Sequence, residues 1–122
     1  MEPRTVARLL TVGRAAIGAA LIAAPERVAS GWLGEAADRP GTQVAVASLG
    51  ARDLVLGLAG AVAVQRGGNA RAWLIGGALC DLADLGITIR HRDALPSVGV
   101  IAVGAMAAGG AATGLWVAAA VD

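Results

Sequence analysis

The sequence predicts an all-α fold, an integral membrane four-helix bundle with a short amphipathic helix on the membrane surface between the first and second spans. Hydrophobic residues make up 57% of the 122 residues and charged residues 16%, whereas soluble domains have roughly 45–50% and 25%. Four apolar stretches are each long enough to cross about 30 Å of hydrocarbon, which takes roughly 20 helical residues. No stretch alternates apolar and polar residues as a half-buried strand does.

Helix-breaking residues separate the four predicted spans. Pro25 follows the first span, and Arg39-Pro40-Gly41 ends the connection to the second. A Gly67-Gly68-Asn69 turn joins the second span to the third, and Pro96 precedes the fourth. Glycines are frequent within the spans, as they are in membrane helices whose backbones approach closely. The sequence therefore predicts one domain, residues 1–122, with spans at about 5–24, 44–64, 71–89 and 97–121.

The connection between the first two spans, residues 25–43, is longer than a turn requires. It begins with a proline and a glutamate, which are typical of a first helical turn. One broad face is apolar and the rest is charged, a pattern typical of a helix lying on the bilayer surface; a plain loop is the alternative. Its tryptophan is expected to bury the ring and keep the indole N–H in water. The apolar face is formed by Val28, Ala29, Trp32 and Leu33.

The first 24 residues share some features with a secretory signal peptide, because a basic start and an apolar centre lead to small residues. Arg14 interrupts the apolar centre, which a cleaved signal tolerates poorly. An uncleaved first span is therefore expected.

Ionisable residues inside the predicted spans are the strongest functional signal. Each costs some 2.5–3.5 kcal/mol at the bilayer centre, so a bundle accumulates them only for a reason. Counted from the span ends, all lie within about one helical turn of the midplane, and charges at one depth in a low dielectric require pairing. The sequence predicts a buried network of Arg14 in the first span, Arg52 and Asp53 in the second, and Asp81 and Asp84 in the third.

The directions of these side chains agree with a network. Asp81 and Asp84 lie one turn apart on the same face of the third span. Arg52 and Asp53 point about 100° apart, so this pair can bridge two neighbouring helices. Because two guanidiniums cannot neutralise three carboxylates, one of the two aspartates of the third span is expected to carry a proton, and a neutral carboxylic acid in a dry pocket is a proton donor.

The charged network is compatible with three functions. In the first, a membrane-embedded enzyme or binding protein takes a lipid-like or isoprenoid-like hydrophobic small molecule. Asp81, Asp84 or Asp53 is then the candidate acid or base. Arg52 and Arg14 are the candidate groups that stabilise developing negative charge. In the second, the protein is a non-catalytic oligomeric scaffold or accessory subunit, and the charges fix helix packing. The third, a carrier or proton-coupled pathway, would require an oligomer at this chain length.

The fourth span carries a G-x-x-x-G pattern formed by Gly110 and Gly114. This pattern permits close helix contact, either within the bundle or between the subunits of a homo-oligomer. Membrane lipid is the other expected partner.

Several function classes are excluded by composition. Cys80 is the single cysteine, so a disulfide scaffold is excluded, and His91 has no second His or Cys at metal-ligand spacing. The net charge of +1 and the scattered arginines give no footprint for nucleic acid. No metal site and no cofactor site are predicted, and the chain contains no G-x-G-x-x-G.

Several stretches together resemble a known family. They are residues 24–28 (APERV), 31–34 (GWLG), 49–54 (LGARDL) with Gly57, and Trp73 followed by residues 81–84 (DLAD). In these stretches the chain resembles the small, mostly actinobacterial four-span membrane proteins grouped as domain of unknown function 4267. The resemblance covers nearly the whole chain. It implies a multi-pass protein of the bacterial cell membrane and emphasises the same buried charges, and it implies no particular activity.

Overall fold

The computed structural model describes residues 1–121 and confirms the all-α prediction, since that part of the chain contains no β-strand. Four of its helices are long and apolar enough to cross a membrane, as expected of a multi-pass membrane protein. A fifth, short helix joins the first two of them. In chain order the helices are α1 (Pro3–Ala23), α2 (Pro25–Leu33), α3 (Pro40–Arg66), α4 (Ala70–Arg90) and α5 (Ser97–Ala120).

The helix ends differ from the predicted span ends in an informative way. Pro3 and Pro40 lie in the first turn of a helix, outside the predicted spans, and Pro25 begins α2 as predicted. A proline is favoured there because its fixed φ suits the helix and its missing N–H has no partner in the first turn. Helix α3 therefore begins at Pro40, four residues before the predicted span. Asn69 caps α4 by accepting a hydrogen bond from the Ala72 nitrogen at 3.2 Å.

Two antiparallel helix pairs build the bundle. Helix α1 packs along α3, and α4 packs along α5, while contacts between the two pairs are fewer. Glycines allow the α1–α3 backbones to touch: a methyl group added at Gly57 would lie 2.6 Å from the Thr11 carbonyl oxygen, and one added at Gly18 would lie 2.5 Å from the Gly50 carbonyl oxygen. Neither position can accept a side chain without separating the helices.

The short helix α2 is present as predicted and exposes its charged side. Glu26 and Arg27 are exposed, whereas Ala29 is buried. Its last residues pack on the first turn of α5, where a methyl group added at Gly99 would overlap the carbonyl oxygen of Gly31. Helix α2 therefore covers one end of the bundle at the level where α1 ends and α5 begins.

Two apolar clusters close the bundle above and below its middle. One lies at the α3–α4 turn and the other lies under α2. Both are made largely of small residues, so the helices approach closely at each end. The first cluster contains Ala7, Ala63, Val64, Ala70, Leu74, Val117, Ala118 and Val121, and the second contains Leu21, Ala29, Ala37 and Val46. The predicted charges lie between these clusters along α1 and α3.

Candidate functional site

Arg14 ties three helices together at the centre of the bundle. From α1, its Nη1 donates to Asp53 Oδ1 on α3 at 3.3 Å. Its Nη2 donates to Asp81 Oδ2 on α4 at 2.5 Å and to the Gly77 carbonyl oxygen at 3.3 Å. The guanidinium thus has partners on both neighbouring helices, as a buried arginine requires.

Arg52 extends the network towards the gap between α3 and α4. Its Nε and Nη2 donate to Asp53 Oδ1 at 3.2 and 3.0 Å. Its Nη1 and Nη2 also donate to the two carboxylate oxygens of Asp84 at 3.2 and 2.7 Å, a bidentate pair. The result is a row of alternating charges in the order Asp81, Arg14, Asp53, Arg52, Asp84. All five predicted residues meet, which confirms the predicted network.

The network is more deeply buried at its Arg14 end than at its Arg52 end. The side chains of Arg14, Asp53 and Asp81 are 12%, 11% and 13% exposed, whereas those of Arg52 and Asp84 are 31% and 23% exposed. Opposite charges interact more strongly where water is excluded. The Arg14 end is therefore the part of the network on which a bound molecule would be held most strongly.

Two carboxylate oxygens in the network have no protein partner. Within residues 1–121, all donors to Asp53 bind its Oδ1, and the only donor to Asp81 binds its Oδ2. Asp53 Oδ2 and Asp81 Oδ1 are therefore free to accept hydrogen bonds from another molecule. Both oxygens of Asp84, in contrast, are engaged by Arg52.

A cavity of about 310 Å³ lies directly over these charges. All five helices contribute to it, and Arg14, Asp53, Asp81 and Asp84 form its polar floor. The other residues that line it are apolar. They are Leu9, Leu10, Gly13, Ile17, Leu21, Val28, Ala29, Trp32, Leu49, Val103, Met106, Ala107 and Gly110.

The cavity opens sideways between α1 and α5. Leu9 and Ile17 on α1 and Met106 on α5 line it, and all three are largely exposed on the outer surface of the bundle. In a membrane these residues would face hydrocarbon, so the opening leads into the lipid. Sequence spacing alone gave no sign of this gap, because it depends on how far α1 and α5 lie apart.

Among the residues that line the cavity, Trp32 has surroundings that differ from those predicted from the sequence. We expected its indole N–H to face water at the membrane surface. Instead the Nε1 atom is buried and has no hydrogen-bond partner, because α2 packs on the start of α5 and covers the end of the cavity. Trp32 therefore lines the cavity while its N–H is a buried donor with no acceptor among residues 1–121.

The G-x-x-x-G pattern of α5 packs within the chain. A methyl group added at Gly110 would lie 2.7 Å from Asp81 Oδ2, and one at Gly114 would lie 3.3 Å from the Ala78 side chain. Both glycines therefore face α4, the first of the two alternatives that the pattern allowed. A homo-oligomer through this helix stays a prediction, and it would need another face of α5.

Metal ligation finds no support in the described part of the chain. Among residues 1–121, no three His, Cys, Asp or Glu side chains are grouped so that they could hold a metal ion. Cys80 is a free, half-buried thiol. The three aspartates of the network are each held by an arginine instead.

Comparisons with models of known families, with curated proteins and with solved structures find no match. The resemblance to the domain of unknown function 4267 proteins stays a prediction. The chemistry of the site therefore follows from its own geometry. The candidate site is an apolar cavity in a multi-pass membrane protein. Its floor is a row of paired charges, and its exposed lining residues would face lipid.

Proposed function

We propose that this protein binds a lipid-like or isoprenoid-like small molecule, which enters from the bilayer between α1 and α5 and places its polar group on the buried charges. One observation carries the proposal: the cavity joins apolar walls to a charged floor. Ligand sites combine mostly apolar walls with a few convergent polar groups in this way, and their volumes run from about 300 to 1,000 Å³.

The position of the charges favours binding over packing alone. Charges that only fix helix packing would be enclosed in the contacts between helices. Here four of the five network residues line the cavity, and two carboxylate oxygens lack a partner. The helices keep these groups at the bilayer centre despite an insertion cost of about 2.5–3.5 kcal/mol each, which a role in binding explains.

If the bound molecule is also transformed, the geometry assigns the roles unequally. Asp81 is the strongest candidate acid or base, because it lines the cavity and its Oδ1 is free. Asp53 is second, and Asp84 is third because Arg52 engages both of its oxygens. Arg14 lines the cavity and is placed to stabilise negative charge. Arg52 would act as a positioning residue for the two aspartates that it binds.

The second candidate function is a non-catalytic scaffold or accessory subunit in the membrane. The observation that favours it is Arg14, which alone joins α1 to both α3 and α4. For either function we propose a bacterial cell membrane as the location, which the resemblance described above supports.

Photolabelling with a diazirine-bearing decanol in lipid nanodiscs tests the binding proposal. We expect labels concentrated on cavity residues such as Ile17 and Met106. The variant Gly13→Leu should reduce this labelling about tenfold, because Gly13 lines the cavity and a methyl group added there meets no other atom within 4 Å, which leaves the rest of the side chain to fill the cavity.

Gly86→Leu is the matched control. Gly86 is an exposed glycine on α4 with nothing within 4 Å of an added side chain, and it lies outside the cavity. It should leave the labelling unchanged. If all lipid-facing helices are labelled uniformly, and to the same extent in both variants, the binding proposal is contradicted and the scaffold is favoured.

A further inference from the structure

The charges on the cavity floor do not balance. The network contains the carboxylates of Asp53, Asp81 and Asp84 but only the guanidiniums of Arg14 and Arg52. A buried excess negative charge must be matched by a proton or by a cation. The remaining lining residues are apolar and supply no cation, so in the ligand-free protein the expected match is a proton on one aspartate of α4, which a bound cation would replace.

The carboxylate oxygens left free on the floor can only accept hydrogen bonds. Arg14 directs two of its nitrogens at Asp53, Asp81 and the Gly77 carbonyl oxygen, and Arg52 is turned towards Asp53 and Asp84. Among the carboxylate oxygens of the floor, one on Asp53 and one on Asp81 accept no hydrogen bond from residues 1–121. A group that fits these oxygens must donate hydrogen bonds, and a positively charged donor fits best.

The opposite end of the cavity has the reverse character. There the buried Nε1 of Trp32 is a donor without an acceptor. The Trp32 backbone lies against Gly99 of α5, since a methyl group added at Gly99 would be 2.9 Å from the Trp32 Cα. The charged floor lies further along the same helix, at the level of Gly110. The cavity follows α5 from Val103 to Gly110, which is about 10 Å at the rise of an α-helix.

We infer that the cavity takes a hydrophobic amine, whose ammonium group binds between Asp53 and Asp81 and whose far end carries an oxygen that accepts the N–H of Trp32. The ammonium supplies the missing positive charge and up to three donors for the free carboxylate oxygens. The apolar walls hold a chain of roughly 10 Å between the two polar ends. This inference rests on the proposed function and names the class of ligand for the same site.

Negatively charged amphiphiles are disfavoured by the same charges. A fatty acid or a phosphate ester would add a further negative charge to a floor that already has one in excess. A neutral alcohol could donate one hydrogen bond but would leave the excess charge unmatched. The expected order of affinity is therefore amine, then alcohol, then carboxylate.

Titration calorimetry in nanodiscs with decylamine, decanol and decanoate tests the charge preference. We expect decylamine to bind about tenfold or more tightly than decanol, as a charge-assisted contact in a dry site predicts, with decanoate weakest. Asp81→Asn should abolish the preference for decylamine over decanol. Asp93→Asn removes the same charge from an exposed connection and should change nothing.

A second pair of probes tests the far end of the cavity. An octylamine with a terminal methoxy group has as many non-hydrogen atoms as decylamine and adds one acceptor. It should bind more tightly than decylamine to the native protein by roughly threefold to tenfold, the range expected for one additional hydrogen bond. Trp32→Phe should remove this difference, so that the two amines bind the variant with equal affinity.

The outcomes separate the two proposals. If decanol and decylamine bind equally and Gly13→Leu weakens both, the cavity binds apolar molecules but the amine inference is overturned. If decylamine binding is unaffected by Gly13→Leu and by Asp81→Asn, the probe lies elsewhere and both proposals fail. Should Asp81→Asn fail to fold, the order of the three decyl probes on the native protein decides the charge preference by itself.

Discussion

Helix α1 meets its two neighbours in opposite ways. Along α3 its backbone touches the partner backbone through Gly18 and Gly57, where no side chain fits. Towards α5 the two helices separate beside Gly13, which lines the cavity and where an added methyl group meets nothing within 4 Å. The same residue type therefore closes one side of α1 and leaves room on the other.

We call the face of α1 that packs on α3 its closed side and the face towards the cavity and α5 its open side. The closed side holds the charged groups in place beside the cavity. Because α1 and α3 are held in contact, Arg14 is fixed between Asp53 and Asp81 and cannot swing into the cavity without losing both partners. A binding site works best when its polar groups are held by rigid elements. The gap towards α5 can then stay open without loosening the charges beneath it.

The largest effect is expected from breaking the closed side. Gly57→Ala should destabilise the protein by about 3 kcal/mol or more, since the new methyl group would overlap backbone atoms of α1 and force two helices apart. Gly13→Ala adds the same methyl group on the open side and should be neutral or slightly stabilising. Unfolding in mixed micelles with increasing dodecyl sulfate measures both. Equal losses of stability would show that the two sides of α1 do not differ as described.

The charged network could be predicted because its signals are local. Arg14 and Asp81 lie within apolar stretches, and a charge in such a stretch requires a partner at the same depth. Their positions along the spans therefore already indicated that they would meet. The four spans and the short α2 followed from segment length and from the pattern of apolar residues.

The open side could not be predicted because nothing local encodes it. The distance between α1 and α5 depends on which glycines each helix uses against its other partner, and Gly13 and Gly18 look alike in the sequence. The position of Trp32 depends on how α2 packs on Gly99. The predicted start of the second span is wrong because a proline in a sequence indicates a helix break, whereas Pro40 lies in the first turn of α3.

The second comparison is between the two arginines of the network. Arg14→Leu leaves Asp53 and Asp81 without their shared partner in the buried part of the network, so we expect a loss of about 3–5 kcal/mol. Arg52→Leu should lose less, about 1–2 kcal/mol, because Arg52 and Asp84 are more exposed and Arg14 still holds Asp53. The measurement is again unfolding in mixed micelles.

Arg92→Leu is the control for this pair, because its side chain is mostly exposed in the connection between α4 and α5. It should leave stability unchanged. If Arg52→Leu lowered stability as much as Arg14→Leu, the exposed end of the network would contribute as much to stability as the buried end. The difference in burial would then not determine the strength of the ion pairs.

The smallest effect concerns the donor at the end of the cavity. In the ligand-free protein, Trp32→Phe removes an N–H that has no partner, which offsets the loss of indole volume. We expect a change in stability of less than about 1 kcal/mol, since the side chain borders open space rather than a close-packed contact. Trp116→Phe, on the exposed side of α5, should be equally mild. A loss above about 2 kcal/mol for Trp32→Phe alone would mean that its N–H already has a hydrogen-bond partner. This end of the cavity would then be filled in the ligand-free protein, and the α5 side of α1 would be packed as closely as the α3 side.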